Sequence, residues 1–424
     1  MKVAIVDWDV AYPMDSGKRL RTANLMMALS DRHDLTYVSR GSDQTDEGVV
    51  SREFLADHNI QTAYLDSPVP PKSGPMFWAR LVRNIGQPVP YAVAAHQDKR
   101  FLQCYRAFAK QNHFDVWQFE WPPYAQMLRD VVSAPRVITA HNVDTLIYRR
   151  YAATDTRRLH RKFFEVQASR VQAYEQQAFG DADAVIAVSE PDAEWIREHV
   201  PHGHVRVVDN GVDLDRYDAI GRDPQRAEFL FLGSLDWRPN QDAISVLLRE
   251  VFPKLRTRVP DATLSIVGRR PSASLIEAVG TTDGVQLHAD VPDVAPFLRR
   301  ATAMVIPLRI GGGSRLKMIE AMAAKVPVIA STVAAEGLKV TAGQDFCLAD
   351  SPDVMAEAMA RGCEDADWLS RLAEAAHRTA KRHYGWDQLG KKLESVWLHC
   401  LGGDAQGGES DRDPIPSAPV QKSV

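Results

Sequence analysis

The stretch "IPLRIGGGSRLKMIEAMAAKVPVIAS" gathers three glycines, a serine, two cations and a carboxylate within residues 311–320. Each of these residue types suits one part of an anion site. Gly311, Gly312 and Gly313 let the backbone come close to a ligand and take positive φ. Ser314 can cap a helix expected over 315–324, whose free amides and dipole favour an anion such as a diphosphate. Arg315 and Lys317 would add charge-assisted hydrogen bonds to phosphate oxygens. Glu320, about one turn beyond Lys317, is spaced to accept hydrogen bonds from sugar or ribose hydroxyls. Leu316, Ile319 and Ala323 make the buried side. Read alone, the string also describes a turn before a surface helix with an i,i+3 ion pair worth only ~0.3 kcal/mol. It is neither a P-loop, since no Gly-Lys-Ser/Thr follows the glycines, nor a GxGxxG fingerprint after the first strand. P-loop and nicotinamide-type chemistry are therefore disfavoured.

Two series of alternating strands and helices must position these residues. "KVAIVD" is a short apolar run without helical period and reads as a buried parallel strand. A turn-rich loop and the amphipathic "LRTANLMMALSDRH" follow, then "DLTYVS", "DVWQFE", "APRVITAH" and "ADAVIAVSE" as further strands. A second series runs "FLFLGS", "ATLSIVG", "VQLHAD", "AMVIPL" and "VPVIAS", with "PNQDAISVLLREVFPKL" read as one helix and "SASLIEAV" and "VAPFLRRA" as others. This order implies two α/β, Rossmann-like, doubly wound domains, over 1–200 and 201–385, with ligands at the carboxyl ends of the strands. The region after Asp350 reads as continuously helical to residue 400. A helix over about 386–401 is expected to pack back on the first domain, and 402–424 reads as a disordered tail rich in Gly, Pro, Ser and Asp. A length of 424 residues suits two domains, and 45% hydrophobic with 25% charged residues is globular composition. The net charge of -4, from 51 basic and 55 acidic residues, provides no global field for nucleic acid. Four scattered cysteines suit reduced thiols and a cytoplasmic setting. The sequence has no apolar run long enough to span a bilayer.

"GGGSRLKMIEAMAAKVPVIAS", together with "VRVVDNGVDLDRY", "FLGSLDWRPNQDAI", "TAHNVD" and "YPMDSGKRLR", resembles the retaining glycosyltransferases of family 4, which have the GT-B fold. The resemblance covers most of residues 1–400. It implies transfer of a sugar from a nucleotide-sugar to a saccharide acceptor with retention, in glycan or exopolysaccharide biosynthesis, with no metal and no cofactor. UDP is the first expectation for the nucleotide and GDP the next. Glu320 matches the second glutamate of the family's Glu-x7-Glu motif; the first falls on Gly312 and is missing. The family's phosphate-binding cations align with Ser234 and Pro239, so Arg315 and Lys317, with Arg238, are expected to supply that charge. Gly17 matches a glycine whose loop offers amides to the donor phosphate, with Ser16 where a second glycine is usual. His141 is given a role beside the reacting sugar. Asn210 and Gly211, otherwise a tight turn, are expected to shape the cleft. His141, Lys317 and Glu320 are the residues expected to carry the reaction. A non-catalytic sugar-nucleotide-binding scaffold and a nucleotide-sugar epimerase of similar shape are the alternatives.

The paired aspartates Asp7/Asp9, Asp181/Asp183, Asp213/Asp215 and Asp365/Asp367 occur in mixed settings and read as chance rather than as a metal site. "PMFWARLVRN" (75–84) and the basic "YRRYAATDTRRLHRKFF" (148–164) suggest a peripheral membrane contact at anionic head groups, and with it a lipid-linked acceptor.

Overall fold

The structure, a computed structural model, describes residues 1–40, 42–65, 74–84, 87–94, 99–155, 157–201, 204–310 and 315–402. The chain builds two parallel sheets. The first holds Lys2–Val6 (β1), Asp34–Ser39 (β2), Gln61–Tyr64 (β3), Val116–Phe119 (β4), Arg136–Ala140 (β5), Ala184–Ala187 (β6) and Val205–Val207 (β7), in the order β3-β2-β1-β4-β5-β6-β7. The second holds Glu228–Leu232 (β8), Thr263–Gly268 (β9), Val285–Ala289 (β10), Ala303–Ile306 (β11), Val328–Ala330 (β12) and Cys347–Leu348 (β13), in the order β10-β9-β8-β11-β12-β13. In each sheet the chain winds outward one way, returns to the centre and winds outward the other way. The reversals lie between β1 and β4 and between β8 and β11, and at such points the carboxyl ends of the strands leave a crevice.

Burial of both faces explains the continuous apolar runs. In β1, Ala4 and Val6 belong to one core while Val3 and Ile5 belong to another. The helix Trp386–Cys400 supplies Trp386, Leu389, Leu393, Val396 and Trp397 to the second of these cores. It lies along the helix Gly17–Leu29, so the end of the described chain closes one face of the first sheet. Trp397, fully buried, donates its indole N–H to Gln118 Oε1 at 2.8 Å.

Some elements depart from the sequence expectation. The single helix read over "PNQDAISVLLREVFPKL" is a helix Arg238–Val246, a π turn Leu247–Val251 and a helix Phe252–Arg258. Pro253 has no amide to continue the α ladder, and the wider turn absorbs that loss. The region after Asp350 is three helices, Pro352–Glu364, Ala366–His383 and Trp386–Cys400. Asp365, whose carboxylate accepts the amide of Trp368 at 2.9 Å, caps the second. The strands β3, β7 and β13, which no pattern suggested, are short edge strands of four, three and two residues. So short a run at an edge carries little periodic signal.

Candidate functional site

The second sheet's crevice is built around Gly233, the residue that follows β8. A Cβ at this position would lie 2.6 Å from Asn240 Nδ2 and 2.8 Å from Lys317 Nζ, so any larger residue would displace the ends of both side chains. Lys317, on the helix Leu316–Ala323 that follows β11, donates to Asn240 Oδ1 at 2.6 Å and sits 4.6 Å from the centre of the Phe231 ring. Asn240 is buried and held in turn by its amide, which donates to the Ser234 carbonyl at 2.8 Å. Burial lowers the Lys317 ammonium to about 7 against the pull of Glu320. Burial raises the Glu320 carboxyl, opposed by a hydrogen bond from Tyr217 and by Lys317. The crevice thus holds a cation that is easily neutralised and a carboxylate one turn away.

Arg315 departs from its expected place. It precedes the helix rather than opening it, at φ 48°, in the left-handed region that a non-glycine residue seldom occupies. Its side chain is 6% exposed, and the guanidinium donates to Glu336 Oε2 at 3.0 Å. Arg150, from the first lobe, approaches the same oxygen at 3.6 Å. Two cations from two lobes therefore meet on one carboxylate. Gly311, Gly312, Gly313 and Ser314 lie outside the described residues, and with them the expected cap. Ser234 donates to Asp236 at 2.7 Å, and Pro239 packs into the first turn of its helix. Neither supplies charge; the neighbouring Asn240 takes up Lys317 instead.

In the first lobe, His141 follows β5 and Glu120 follows the adjacent β4. Their side chains meet at 2.7 Å between Nε2 and Oε2. Glu120 is 2% exposed and also accepts from Gln118 Nε2 at 2.6 Å, Thr22 Oγ1 at 3.0 Å and Thr139 Oγ1 at 3.2 Å. Burial alone would raise this carboxyl, but the His141 and Gln118 hydrogen bonds and the charge of Lys18 hold it near 2. Burial lowers the His141 imidazolium, against the pull of Glu120 and with Lys18 and Arg21. An ionised carboxylate can only accept, so a neutral His141 carries its proton on Nε2, leaving Nδ1 as an acceptor.

Gly17 is the first residue of its helix, and Ser16, rather than completing a glycine pair, caps it by accepting the Arg19 amide at 3.3 Å. Arg238 lies 6.0 Å from the centre of the Tyr151 ring of the first lobe. Asn210 and Gly211 stand at the junction of the lobes. The buried Arg21 donates to the Asp209 carbonyl at 2.5 Å and approaches Asn210 Oδ1 at 3.4 Å. A Cβ at Gly211 would come within 2.6 Å of Trp386. Across the lobes, Arg269 reaches Asp15 at 3.5 Å.

Several of the paired aspartates are engaged by the protein itself. Asp7 binds Lys18, and Asp9 binds Arg19 at 2.8 Å. Asp181 binds Arg129 at 3.1 Å, Asp183 accepts the Arg136 amide at 2.8 Å, and Asp213 caps a helix. Sequence reasoning passed over Asn240, Gly233, Tyr217 and Glu120. Asn240 stood one place beyond an expected cation, and Glu120 closed a run already read as a strand.

Comparison with known proteins gives two family matches in chain order. Residues 20–216 match glycosyltransferase family 4 and residues 226–365 match the glycosyl transferases of group 1. A phosphatidyl-myo-inositol mannosyltransferase of Mycolicibacterium smegmatis is 30% identical over 249 residues, 54% of this chain and 61% of the relative. The chain therefore spans less than two thirds of that relative's length. Among solved structures, a sucrose-phosphate synthase from Thermosynechococcus elongatus superposes with a TM-score of 0.70 at 17% identity, covering 95% of this chain and 99% of that one. HepE of Anabaena, solved with UDP-glucose, superposes with a TM-score of 0.64 at 13% identity, covering 94% and 100%.

Proposed function

We infer the activity from one premise: this chain belongs to glycosyltransferase family 4, and its two facing Rossmann-like domains have the GT-B architecture. The proposed reaction is transfer of a sugar from a nucleotide-sugar to a hydroxyl of a saccharide acceptor with retention of anomeric configuration. The observation that carries it is the pairing of a partly buried Lys317–Asn240–Glu320 cluster at one switch point with the Glu120–His141 pair at the other. In this reading Lys317, with Arg315 and Arg238, neutralises the diphosphate as it leaves. Glu320, which already accepts from the Tyr217 hydroxyl, is placed to accept from ribose. The anomeric C–O bond breaks and the acceptor oxygen bonds on the same face, its proton passing to the departing phosphate oxygen. Preorganised donors aimed at that oxygen lower the barrier because they need no reorganisation as charge develops.

UDP is favoured as the nucleotide because HepE was solved with UDP-glucose, with GDP next. A lipid-linked acceptor has support from the name of the inositol-lipid mannosyltransferase relative. It has further support on the helix Arg158–Gly180, where Leu159, Phe163 and Val166 are exposed on one face beside Arg158, Arg161 and Lys162. Apolar side chains flanked by cations suit an anionic bilayer surface, so a peripheral site at the inner face of the membrane is part of the proposal. Among the described residues no helix is long and apolar enough to cross a membrane. The side chains of Phe77, Trp78 and Arg80, the other stretch suggested by sequence, lie outside those described.

Thermal-shift measurements against UDP, GDP, ADP and their sugar conjugates test the reading, because a ligand bound only by the folded chain raises Tm. UDP and a UDP-sugar are expected to raise it, and slow release of UDP is expected without an acceptor. No shift with any nucleotide, and no nucleoside diphosphate released, overturns it.

A further inference from the structure

We propose that Glu120 is a positioning residue for the transfer, a fixed buried anion that orients the His141 ring and sets its basicity so that Nδ1 and the His141 carbonyl face the sugar as acceptors. This rests on the transferase reading. The chain has Gly312 where the family places the carboxylate that faces the donor sugar. The Glu120 carboxylate acts from the opposite lobe and reaches the sugar only through His141.

The geometry is specific. Glu120 spends Oε1 on Gln118 and Thr139 and Oε2 on Thr22 and His141, so all its acceptor capacity is engaged and the group cannot rotate away. The strands β4 and β5 that deliver Glu120 and His141 are adjacent and in register, with Phe119 opposite Ile138. The His141 side chain keeps 15% exposure while Glu120 has almost none, which places the imidazole between the carboxylate and solvent. The other charged groups around the ring are Lys18 and Arg21, both on the helix Gly17–Leu29. Lys18 is paired with Asp7, which follows β1, and Arg21, which donates to the Asp209 carbonyl, is acted on by the charges of Glu120 and Asp209. Glu120 is therefore the anion that directly touches the ring. A neutral imidazole hydrogen-bonded to an anion is a stronger acceptor at its other nitrogen, which favours positive charge developing on the sugar ring.

Two substitutions on the full-length chain test this with opposite expected signs. Glu120→Gln keeps the shape and removes the charge, so the His141 pKa is expected to fall by roughly one unit. Thr22→Val removes a donor that competes with His141 for Oε2, so the same pKa is expected to rise. Both are read by NMR titration of the imidazole, identified by its loss in His141→Asn. In transfer assays Glu120→Gln is expected to lower kcat by about 10²-fold with donor KM changed less than about threefold. An unmoved titration in Glu120→Gln, shifts of the same sign in both variants, or kcat within threefold of wild type overturns the proposal. If the wild-type chain transfers no sugar, the transferase reading fails, while the titration, which needs no substrate, still decides whether Glu120 governs His141.

Discussion

Lys317 Nζ lies 2.6 Å from Asn240 Oδ1, and this contact joins the two helices that leave the second sheet on either side of its switch point. The amine is partly buried, lowered to about 7, and so changes charge near neutrality. A diphosphate binds the ammonium form, and binding takes up a proton wherever the free amine is neutral. Affinity for a nucleotide-sugar, whose diphosphate does not titrate in this range, is therefore expected to fall as pH rises above about 7. The slope is at most roughly tenfold per unit, one proton's worth. Calorimetry between pH 6 and 8.5 reads it. Lys317→Met is expected to bind weakly at pH 6 and to lose the slope, whereas Asn240→Asp shifts the fall to higher pH. A wild-type affinity flat across the range would sink the assignment.

Glu336 competes for the cation that the sequence assigned to the diphosphate. Arg315 and Arg150 both meet its Oε2, at 3.0 and 3.6 Å. Glu336→Gln removes the competing charge, and donor affinity is expected to rise about twofold to fivefold at low salt, the range of a partly exposed ion pair. An unchanged or weaker donor Kd in this variant would show that Arg315 serves the fold and not the ligand.

Gly268 ends β9 where it crosses the loop after β8. A Cβ there would lie 1.8 Å from the Gly233 carbonyl, a backbone atom with nowhere to go. Gly268→Ala is expected to cost at least ~1–3 kcal/mol, read as a drop in Tm, and to weaken nucleotide binding by shifting Gly233 against Lys317 and Asn240. Gly280→Ala, where a Cβ meets nothing within 4 Å, is the control expected to leave both unchanged. Equal behaviour of the two variants would refute the packing argument.

The sheets were legible in the chain because nearly every central strand is buried on both faces and so reads as an unbroken apolar run, as in "VAIV" and "FLFL". What the sequence could not show is which side chains face each other. Lys317 and Asn240 are 77 positions apart, and Glu120 and His141 are 21 apart, brought together by strand order alone. Spacing along a helix put Lys317 and Glu320 on one face. It could not reveal that Arg315 would leave the helix for the left-handed region and turn to Glu336. That turn is a tertiary choice, made toward a carboxylate of its own lobe that Arg150 of the first lobe also approaches.

Leu159, Phe163 and Val166 are 84%, 40% and 44% exposed, at spacings that share a helix face. Exposure of large apolar groups costs free energy in water and is relieved at a bilayer. The chain is expected to float with vesicles containing phosphatidylglycerol and not with neutral vesicles. Leu159→Glu with Phe163→Glu is expected to reduce the bound fraction at least about tenfold without changing Tm. Binding that ignores lipid charge, or survives the double substitution, would remove this surface from the proposal.

Glu175 offers a test of the first lobe that needs no ligand. Its carboxylate oxygens receive the Asp144 amide at 2.7 Å, the Thr145 hydroxyl at 2.6 Å and the Thr145 amide at 3.2 Å. Burial, then the nearby charge of Asp144, raises the carboxyl to about 8 in spite of these donors. In the unfolded chain the same group titrates near the ordinary carboxylate value of ~4.3. Between those two values the folded state holds a proton that the unfolded state has released, so stability falls as pH rises. The contribution is fully present below the unfolded value and is lost as pH climbs toward 8, by at most ~1.4 kcal/mol per pH unit for one group. Urea unfolding midpoints are therefore expected to drop from pH 5 to pH 8. Glu175→Gln cannot ionise, and although it loses one acceptor to the Thr145 pair, its midpoint is expected to vary less over the same interval. Parallel pH curves for the two proteins would show that Glu175 is ionised throughout, its three donors outweighing its burial.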